Sequence, residues 1–114
     1  MKIDKIETYR VAIPLIKPFK TALRTVTTAE SILVKVSCDN GIIGWGEAPP
    51  TVVITGETLS SIESAIHHVL KPYLEQKSLL NYEALFQGIQ AILIGNTSAK
   101  AAIDMALYDC LSQQ

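Results

Sequence analysis

In the first part of the chain, apolar residues stand at both odd-numbered and even-numbered positions, so they would lie on both faces of a strand. Residues 2–15 carry Ile3 and Ile13 on one set and Ile6 on the other, which predicts a strand that is bulged or buried on both faces. Pro14 ends this alternation, because proline has no N–H for a sheet. Residues 17–29 have no clean period and are rich in Thr and Lys. We predict a long polar loop there.

Two further strands are predicted at 31–38 and 42–47. The first alternates cleanly between apolar and mostly polar positions. Between them stands Asn40-Gly41, a pair typical of a tight hairpin in which both turn residues take positive φ. Gly44 and Gly46 in the second arm indicate either a close backbone approach or a bent strand.

After residue 56 the apolar period changes to that of helices. One helix is predicted over 58–70, with Thr58 as its N-cap and Pro72 ending or kinking it. A second is predicted over 82–94, closed by Gly95. The order of three strands and then helices predicts an α+β fold, a three-stranded antiparallel meander followed by a helical bundle.

A third helix is predicted over 96–114, and no Gly, Asn or Pro follows to end it. It looks unfinished, so we expect the chain to be part of something larger. Its apolar positions recur at the spacing of one helical face: Ala99, Ala102, Ile103, Ala106, Leu107, Cys110 and Leu111.

Composition narrows the classes of partner. Of the 114 residues 48% are hydrophobic and 18% charged, with a net charge of −1. This balance argues against a nucleic-acid surface and a polybasic membrane patch, and favours a face kept for a partner. The start of the chain has no signal-peptide core, and no apolar run is long enough for a bilayer, so we expect a cytoplasmic protein. Cys38 and Cys110 are interpreted as buried thiols, with a disulfide as the alternative.

The titratable side chains give weak signals for catalysis. His67 and His68 are adjacent and point in different directions on a helix, so a solvated face is favoured over a metal site. Glu47, after Gly44-Trp45-Gly46, could act as an acid or base, but we favour a hydrogen-bonded structural role. Asp104 and Asp109 are poorly aligned on their helix and are expected at its solvated edge.

Arg24 lies in the predicted polar loop with Phe19 nearby. A guanidinium there suits the recognition of a carboxylate, because its planar fork can bond both oxygens. From the residues alone, a solvated arginine remains the favoured interpretation.

Two stretches resemble a known family. The first is PLIKPFKTALRTVTTAESILVKV, running into DNGIIGWGEAPPTVVITGET, and the second is GNTSAKAAIDMALYDCLSQQ. Together they resemble the N-terminal capping domain of the enolase superfamily, in its muconate-lactonizing subgroup. The runs KPFKTALRT and PPTVVITG point more narrowly to the dipeptide epimerases, which interconvert L-Ala-L-Glu and L-Ala-D-Glu.

The resemblance implies a fold and a division of labour. Residues 1–95 would be the capping domain, and the helix over 96–114 would lead into a β/α barrel. That barrel would carry two lysines that move the α-proton and three carboxylates that bind Mg²⁺. The cap would contribute two loops, 17–29 and 49–56, that close over the barrel mouth and set specificity. In them Arg24 would bind the side-chain carboxylate of the dipeptide's Glu, while Phe19 and Ile54 would line the pocket.

The sequence lacks the motifs that the catalytic barrel of such an enzyme would contain. It has no Lys-x-Lys, no barrel strands and no carboxylate set at β/α spacing. We therefore expect the 114 residues alone to be inactive and to hold no Mg²⁺, with the dipeptide bound only alongside the missing barrel. The alternative is a non-enzymatic α+β module that self-associates through its C-terminal helix, using the apolar face that contains Ala102 and Ile103.

Overall fold

In the computed structural model the described residues are 1–20, 25–49 and 56–114, and of residues 13–20 and 25–29 only the backbone is described. Three strands form one antiparallel sheet in the order β1-β2-β3. They span Ile3–Lys20 (β1), Thr25–Cys38 (β2) and Ile43–Ala48 (β3). The predicted meander is confirmed.

The hairpin between β2 and β3 forms where Asn40-Gly41 predicts it. Gly41 has φ +88°, which an L-residue adopts only with strain. Asn40 is not among the residues with positive φ, so the expectation of two such residues was wrong. The turn therefore uses one residue with positive φ, Gly41, rather than two.

The predicted loop over 17–29 is largely strand. Phe19 pairs with Val26 and Lys20 with Thr25, so β1 and β2 continue well beyond residue 15. The register shifts between Pro14 and Phe19, which lets β1 pass its prolines. Because β1 is an edge strand, a missing proline N–H need not remove a ladder bond, and the prolines did not mark its end.

The first helix, α1, spans Leu59–Ala65 and starts at the predicted cap. Thr58 Oγ1 accepts from the backbone N–H of Ser61 at 3.0 Å, and Ser61 Oγ accepts from the N–H of Thr58 at 2.8 Å. This reciprocal pair satisfies two donors that a helix start leaves open. The N-cap prediction is confirmed.

Pro72 does not end the helix near Leu70, which was the first of the two predicted alternatives. A π-helical turn, Ile66–Leu70, follows α1 and leads into a short helix, α2, at Lys71–Leu74. The N–H of Lys71 donates to the carbonyl of Ile66, one residue further back than in an α-helix. Pro72 then falls in the first turn of the new segment, where its missing N–H is tolerated.

The third helix, α3, spans Tyr82–Ile92, two residues shorter than predicted. Leu93 is extended, and Gly95, with φ +64°, lies in the link to the next helix rather than closing α3. The last helix, α4, spans Thr97–Ser112 and confirms the predicted C-terminal helix. Asn96 before it has φ +50° and donates from its side-chain amide to the carbonyl of Ile94 at 2.9 Å.

One face of the sheet is covered mainly by α4, which lies directly on β3. A Cβ at Gly46 would overlap the carbonyl oxygen of Ala102 and lie 2.9 Å from its carbonyl carbon. A Cβ at Gly44 would lie 2.9 Å from the backbone nitrogen of Cys110. The two glycines therefore mark a close backbone approach, the first of the two predicted alternatives.

The apolar face of α4 is used inside the domain. Ala99, Ala102, Ile103, Ala106 and Leu107 are fully buried in the core with the sheet. The prediction that this face serves self-association was wrong, because the sheet already covers it. The exposed side of α4 carries other residues, among them Met105 and Tyr108.

Cys38 and Cys110 are free thiols and buried, as predicted. Burial, together with the neighbouring Cys38 thiol, raises the pKa of Cys110 to about 12. Thiolate, the reactive form, is therefore scarce at neutral pH. No helix in the described part of the chain has the length and apolarity needed to cross a bilayer.

Candidate functional site

The structure describes only a small part of the residues predicted to contact a substrate. Arg24 and Ile54 fall outside the described residues. Phe19 lies in β1, paired with Val26, but its side chain is not described. The binding roles of Arg24, Phe19 and Ile54 stay predictions. What the structure gives is the backbone of the described residues before and after them.

The β1–β2 hairpin extends past the end of the third strand. Ala48, the last residue of β3, pairs with Ile32, which pairs with Arg10 on its other side. Beyond that row β1 and β2 continue as a two-stranded ribbon as far as Lys20 and Thr25. From Ile32 to Thr25 the strand β2 runs seven residues, so at about 3.3 Å per residue the ribbon reaches roughly 23 Å beyond β3.

Both predicted substrate loops therefore start from one end of the sheet. The ribbon is described as far as Lys20 and Thr25, the residues on either side of 21–24, and the chain leaves β3 at the same end, after Ala48. Sequence separation alone does not put the ends of β1 and β3 on one side of the sheet. The meander does, because alternate strands of an antiparallel sheet run in the same direction.

An ion pair fixes the base of the ribbon to α1. The guanidinium of Arg10 donates to Glu63 Oε1 from Nη2 at 2.6 Å and from Nε at 3.0 Å, and Nη2 also lies 3.1 Å from Ser60 Oγ. The hydrogen bond from Arg10 lowers the pKa of Glu63. The pair is partly exposed, so its main effect is to orient the ribbon rather than to add stability.

Glu47 joins β3 to β2 at the same end of the sheet. Ser31 Oγ, on a buried residue, donates to Glu47 Oε2 at 2.8 Å. The structural interpretation of Glu47, a hydrogen-bonded carboxylate before the Pro-Pro segment, is confirmed.

Glu57 is a structural carboxylate that sequence reasoning missed. It is only 5% exposed, and its oxygens accept from the backbone N–H of Ser98 at 3.0 and 3.1 Å and of Ala99 at 3.4 Å. It therefore caps α4 and places a negative charge at the positive end of the helix dipole. Asn96, the residue at the N-cap position, makes no side-chain capping bond. Glu57 also fixes the chain where it leaves 49–56.

Replacing Glu57 should loosen α4. We expect Glu57→Ala to lower the free energy of unfolding by about 2 kcal/mol, because it removes charge-assisted bonds to partly buried donors. The measurement is guanidinium-induced unfolding of the 114-residue chain, followed by circular dichroism. Glu83→Ala is the matched control, since Glu83 is an exposed acid in the first turn of α3 and should cost only a few tenths of a kcal/mol. Equal losses for the two variants would contradict the capping role.

The two histidines lie on an exposed surface, as predicted. The side chain of His67 contacts Thr8, with Nε2 and Oγ1 2.6 Å apart. Across residues 1–20, 25–49 and 56–114, no three His, Cys, Asp or Glu side chains are grouped so that they could hold a metal ion.

Asp104 and Asp109, expected at a solvated edge, are both only half-buried, and each has an oxygen with a structural setting that the sequence did not indicate. Asp109 Oδ2 accepts from the backbone N–H of Trp45 at 2.9 Å, because α4 lies along the open side of the edge strand β3. Asp104 Oδ1 is buried and has no hydrogen-bond partner in the described part of the chain. Burial raises the pKa of Asp104, and nearby Lys100 offsets part of this effect.

Comparison with known proteins identifies the family of this chain. Residues 5–114 match the model of the mandelate racemase / muconate lactonizing enzyme N-terminal domain. The chain is 66% identical over 113 residues to the L-Ala-D/L-Glu epimerase of Bacillus subtilis (strain 168). A substrate-liganded structure of the Bacillus subtilis epimerase superimposes with a TM-score of 0.94 at 65% identity, covering 99% of this chain and 32% of that one. A dipeptide epimerase from Methylococcus capsulatus, solved with Mg and L-Arg-D-Lys, gives 0.90 at 31% identity, with 99% and 32% covered.

The match takes in nearly the whole of this chain but less than a third of the curated relative. It covers 99% of the chain and 31% of the Bacillus subtilis epimerase. The described strands form a single three-stranded sheet, so the part matched is not a barrel. The chain belongs to the mandelate racemase / muconate lactonizing enzyme family, of which it forms the N-terminal domain.

Proposed function

We propose that this chain is the substrate-capping domain of a Mg²⁺-dependent dipeptide epimerase that acts on L-Ala-D/L-Glu. In this function residues 17–29 and 49–56 close over an active site that the rest of the polypeptide supplies. The observation that carries the proposal is the 66% identity to an L-Ala-D/L-Glu epimerase across 99% of the chain.

The position of the two segments supports a capping role. The ribbon that contains the described residues of 17–29 extends past β3, and the chain leaves β3 for 49–56 at the same end of the sheet. Arg10 and Glu63 fix the ribbon, and Glu57 fixes the far end of the second segment. A cap held in this way can place its tips over a ligand with little loss of conformational entropy on binding.

Arg24 is the residue we assign to recognition of the substrate. Its guanidinium would donate to both oxygens of the Glu side-chain carboxylate in a bidentate pair, which fixes both the position and the charge of the ligand. Phe19 and Ile54 would line the pocket and exclude water, which strengthens that pair by lowering the local dielectric. These residues select and orient the dipeptide without moving a proton.

The reaction itself is assigned to the remaining two thirds of the enzyme. Mg²⁺, when bound there, would stabilise the negative charge formed as the α-proton leaves. The described residues of this chain contain no cluster suited to that ion. By itself the chain should therefore show no epimerase activity.

The test is a chimera: the Bacillus subtilis epimerase with its segment matching this chain replaced by the 114 residues. We expect the chimera to interconvert L-Ala-L-Glu and L-Ala-D-Glu with kcat/KM within about tenfold of the parent, because the two segments are 66% identical. Polarimetry or coupled detection of D-Glu measures the rate. The 114-residue chain alone and the parent without its N-terminal segment are the controls.

The chimera can contradict the proposal in two ways. A folded chimera that lacks activity on L-Ala-L-Glu but epimerises another dipeptide would overturn the substrate assignment. Activity of the 114-residue chain alone would overturn the division between cap and catalytic part.

A further inference from the structure

The helical stretch formed by α1, the π turn and α2 runs beside β1. Four polar side chains, each four residues from the next, contact β1 from it, and we call them the polar row: Glu63, His67, Lys71 and Glu75. They meet three alternate residues of the strand: Ile6, Thr8 and Arg10. Four helical residues rise about 6 Å and two strand residues about 6.6 Å, so the two repeats nearly match.

One end of the polar row bonds the backbone of β1 directly. Lys71 Nζ donates to the carbonyl of Ile6 at 2.7 Å, and the N–H of Ile6 donates to Glu75 Oε2 at 3.0 Å. Lys71 and Glu75 also pair with each other at 3.0 Å. Because β1 is an edge strand of the described sheet, two side chains here take the place of a further strand.

The other end of the polar row reaches the base of the ribbon. Glu63 accepts from the guanidinium of Arg10, and His67 Nε2 lies 2.6 Å from Thr8 Oγ1. Arg10 stands in the last row of the sheet that includes β3. Beyond it the ribbon has only two strands, and such a pair is marginally stable by itself in water. The row therefore holds β1 at the point where the direction of the ribbon is set.

The π turn explains how these side chains come to share one line. An α-helix has 3.6 residues per turn, so over the eight residues from Glu63 to Lys71 the offset around the axis would be about 80°. The π turn at Ile66–Leu70 has one residue more in its hydrogen-bonded turn. It therefore winds less per residue and removes part of the offset. Turns of this kind occur frequently at functional sites.

We propose that the polar row is a positioning device for substrate binding, which sets the place of the ribbon relative to the segment 49–56. The helical stretch begins at Leu59, shortly after that segment, and the row joins it to the base of the ribbon. The two substrate segments are thereby tied through one helical element. Members of the row act through the ribbon, so they are positioning residues. The inference rests on the proposed function in that the ribbon and 49–56 cover the dipeptide.

The first test removes contacts of the row without changing the ribbon. Glu63→Ala/His67→Ala takes away both contacts at the ribbon base, and alanine favours the helix. In the chimera we expect KM for L-Ala-L-Glu to rise about five- to tenfold with kcat within about twofold, because the ribbon must then be ordered on binding. Ser64→Ala/His68→Ala is the matched control, since both residues are exposed and stand one position further along the same stretch.

Exchanging the charges of the ion pair separates positioning from the loss of a particular residue. We expect Arg10→Glu alone to raise KM, because two carboxylates then face each other. Adding Glu63→Arg restores an ion pair and should return KM to within about twofold of the chimera. If KM in Glu63→Ala/His67→Ala equals that of the control variant, or if the exchanged pair recovers nothing, the inference is wrong.

Hydrogen exchange of the 114-residue chain tests the polar row without any reference to activity. The backbone amides of the last ribbon pairs, Phe19 with Val26 and Lys20 with Thr25, should exchange about five times faster in Glu63→Ala/His67→Ala than in the control variant. Equal exchange in the two variants, or an equal acceleration throughout α4, would overturn the positioning role. A chimera inactive on L-Ala-L-Glu would defeat the proposed function, while this exchange measurement would still decide whether the row positions the ribbon.

Discussion

In the chimera, Arg24→Met should lower kcat/KM for L-Ala-L-Glu by about 100-fold. Removing one partner of a desolvated charge pair costs roughly 3 kcal/mol, and each step of about 1.4 kcal/mol is a factor of ten. The loss should be confined to dipeptides with an acidic second residue. With L-Ala-L-Leu the variant should change by no more than a few fold, so the preference for Glu should fall with the rate.

Two controls make the Arg24 result specific. Arg24→Lys keeps the charge but loses the planar fork, and we expect a smaller loss of about tenfold. Lys35→Met removes a cation from the outer side of the sheet, near Trp45 rather than the substrate segments, and should leave both substrates unaffected. If Arg24→Met slows L-Ala-L-Glu and L-Ala-L-Leu equally, Arg24 does not read the side-chain carboxylate.

Gly46→Ala should destabilise the domain more than the loss of the Glu57 cap does. The new Cβ would overlap the carbonyl of Ala102, so β3 and α4 would have to separate. Overpacking between two backbones costs about 3 kcal/mol or more. For a domain of this size, thermal unfolding by circular dichroism should show a melting temperature lower by at least roughly 10 °C.

Gly41→Ala is the matched control for this prediction. Gly41 has φ +88°, but no atom of the described residues lies within 4 Å of the position that an alanine Cβ would take, so alanine there is strained without being crowded. Its cost should be about 1–2 kcal/mol. A Gly46→Ala variant no less stable than Gly41→Ala would mean that the contact between β3 and α4 can relax, and that the close approach does not determine the stability.

Local patterns determined much of this fold. The alternation over 31–38, the Asn40-Gly41 turn and the Thr58 cap each depend on near neighbours, and each was found where it was predicted. The apolar period of the last helix likewise gave its position and showed which of its faces is apolar. What failed locally was the expectation that a proline ends its element, because Pro14 and Pro72 are tolerated where a register shift or a π turn removes the need for their N–H groups.

The candidate site could be predicted only through resemblance. Arg24 lies in a stretch with no clean period, and a carboxylate-binding arginine has the same local sequence as a solvated one. The described strands on either side of Arg24 depend on pairing between β1 and β2, which the polar character of 17–29 concealed.

The sequence by itself determined the α+β class, the meander, the cap of the first helix and, through its motifs, the family. These follow from interactions among residues close in the chain, or from residue types that recur in relatives. The tertiary structure decided what each side of α4 contacts. Its apolar face is covered by β3, its first N–H groups are capped by Glu57 from 41 residues away, and its outer side holds Asp104 Oδ1 without a bond from any described residue. Whether a helix face is core or interface depends on which distant element covers it, and periodicity alone does not carry that information.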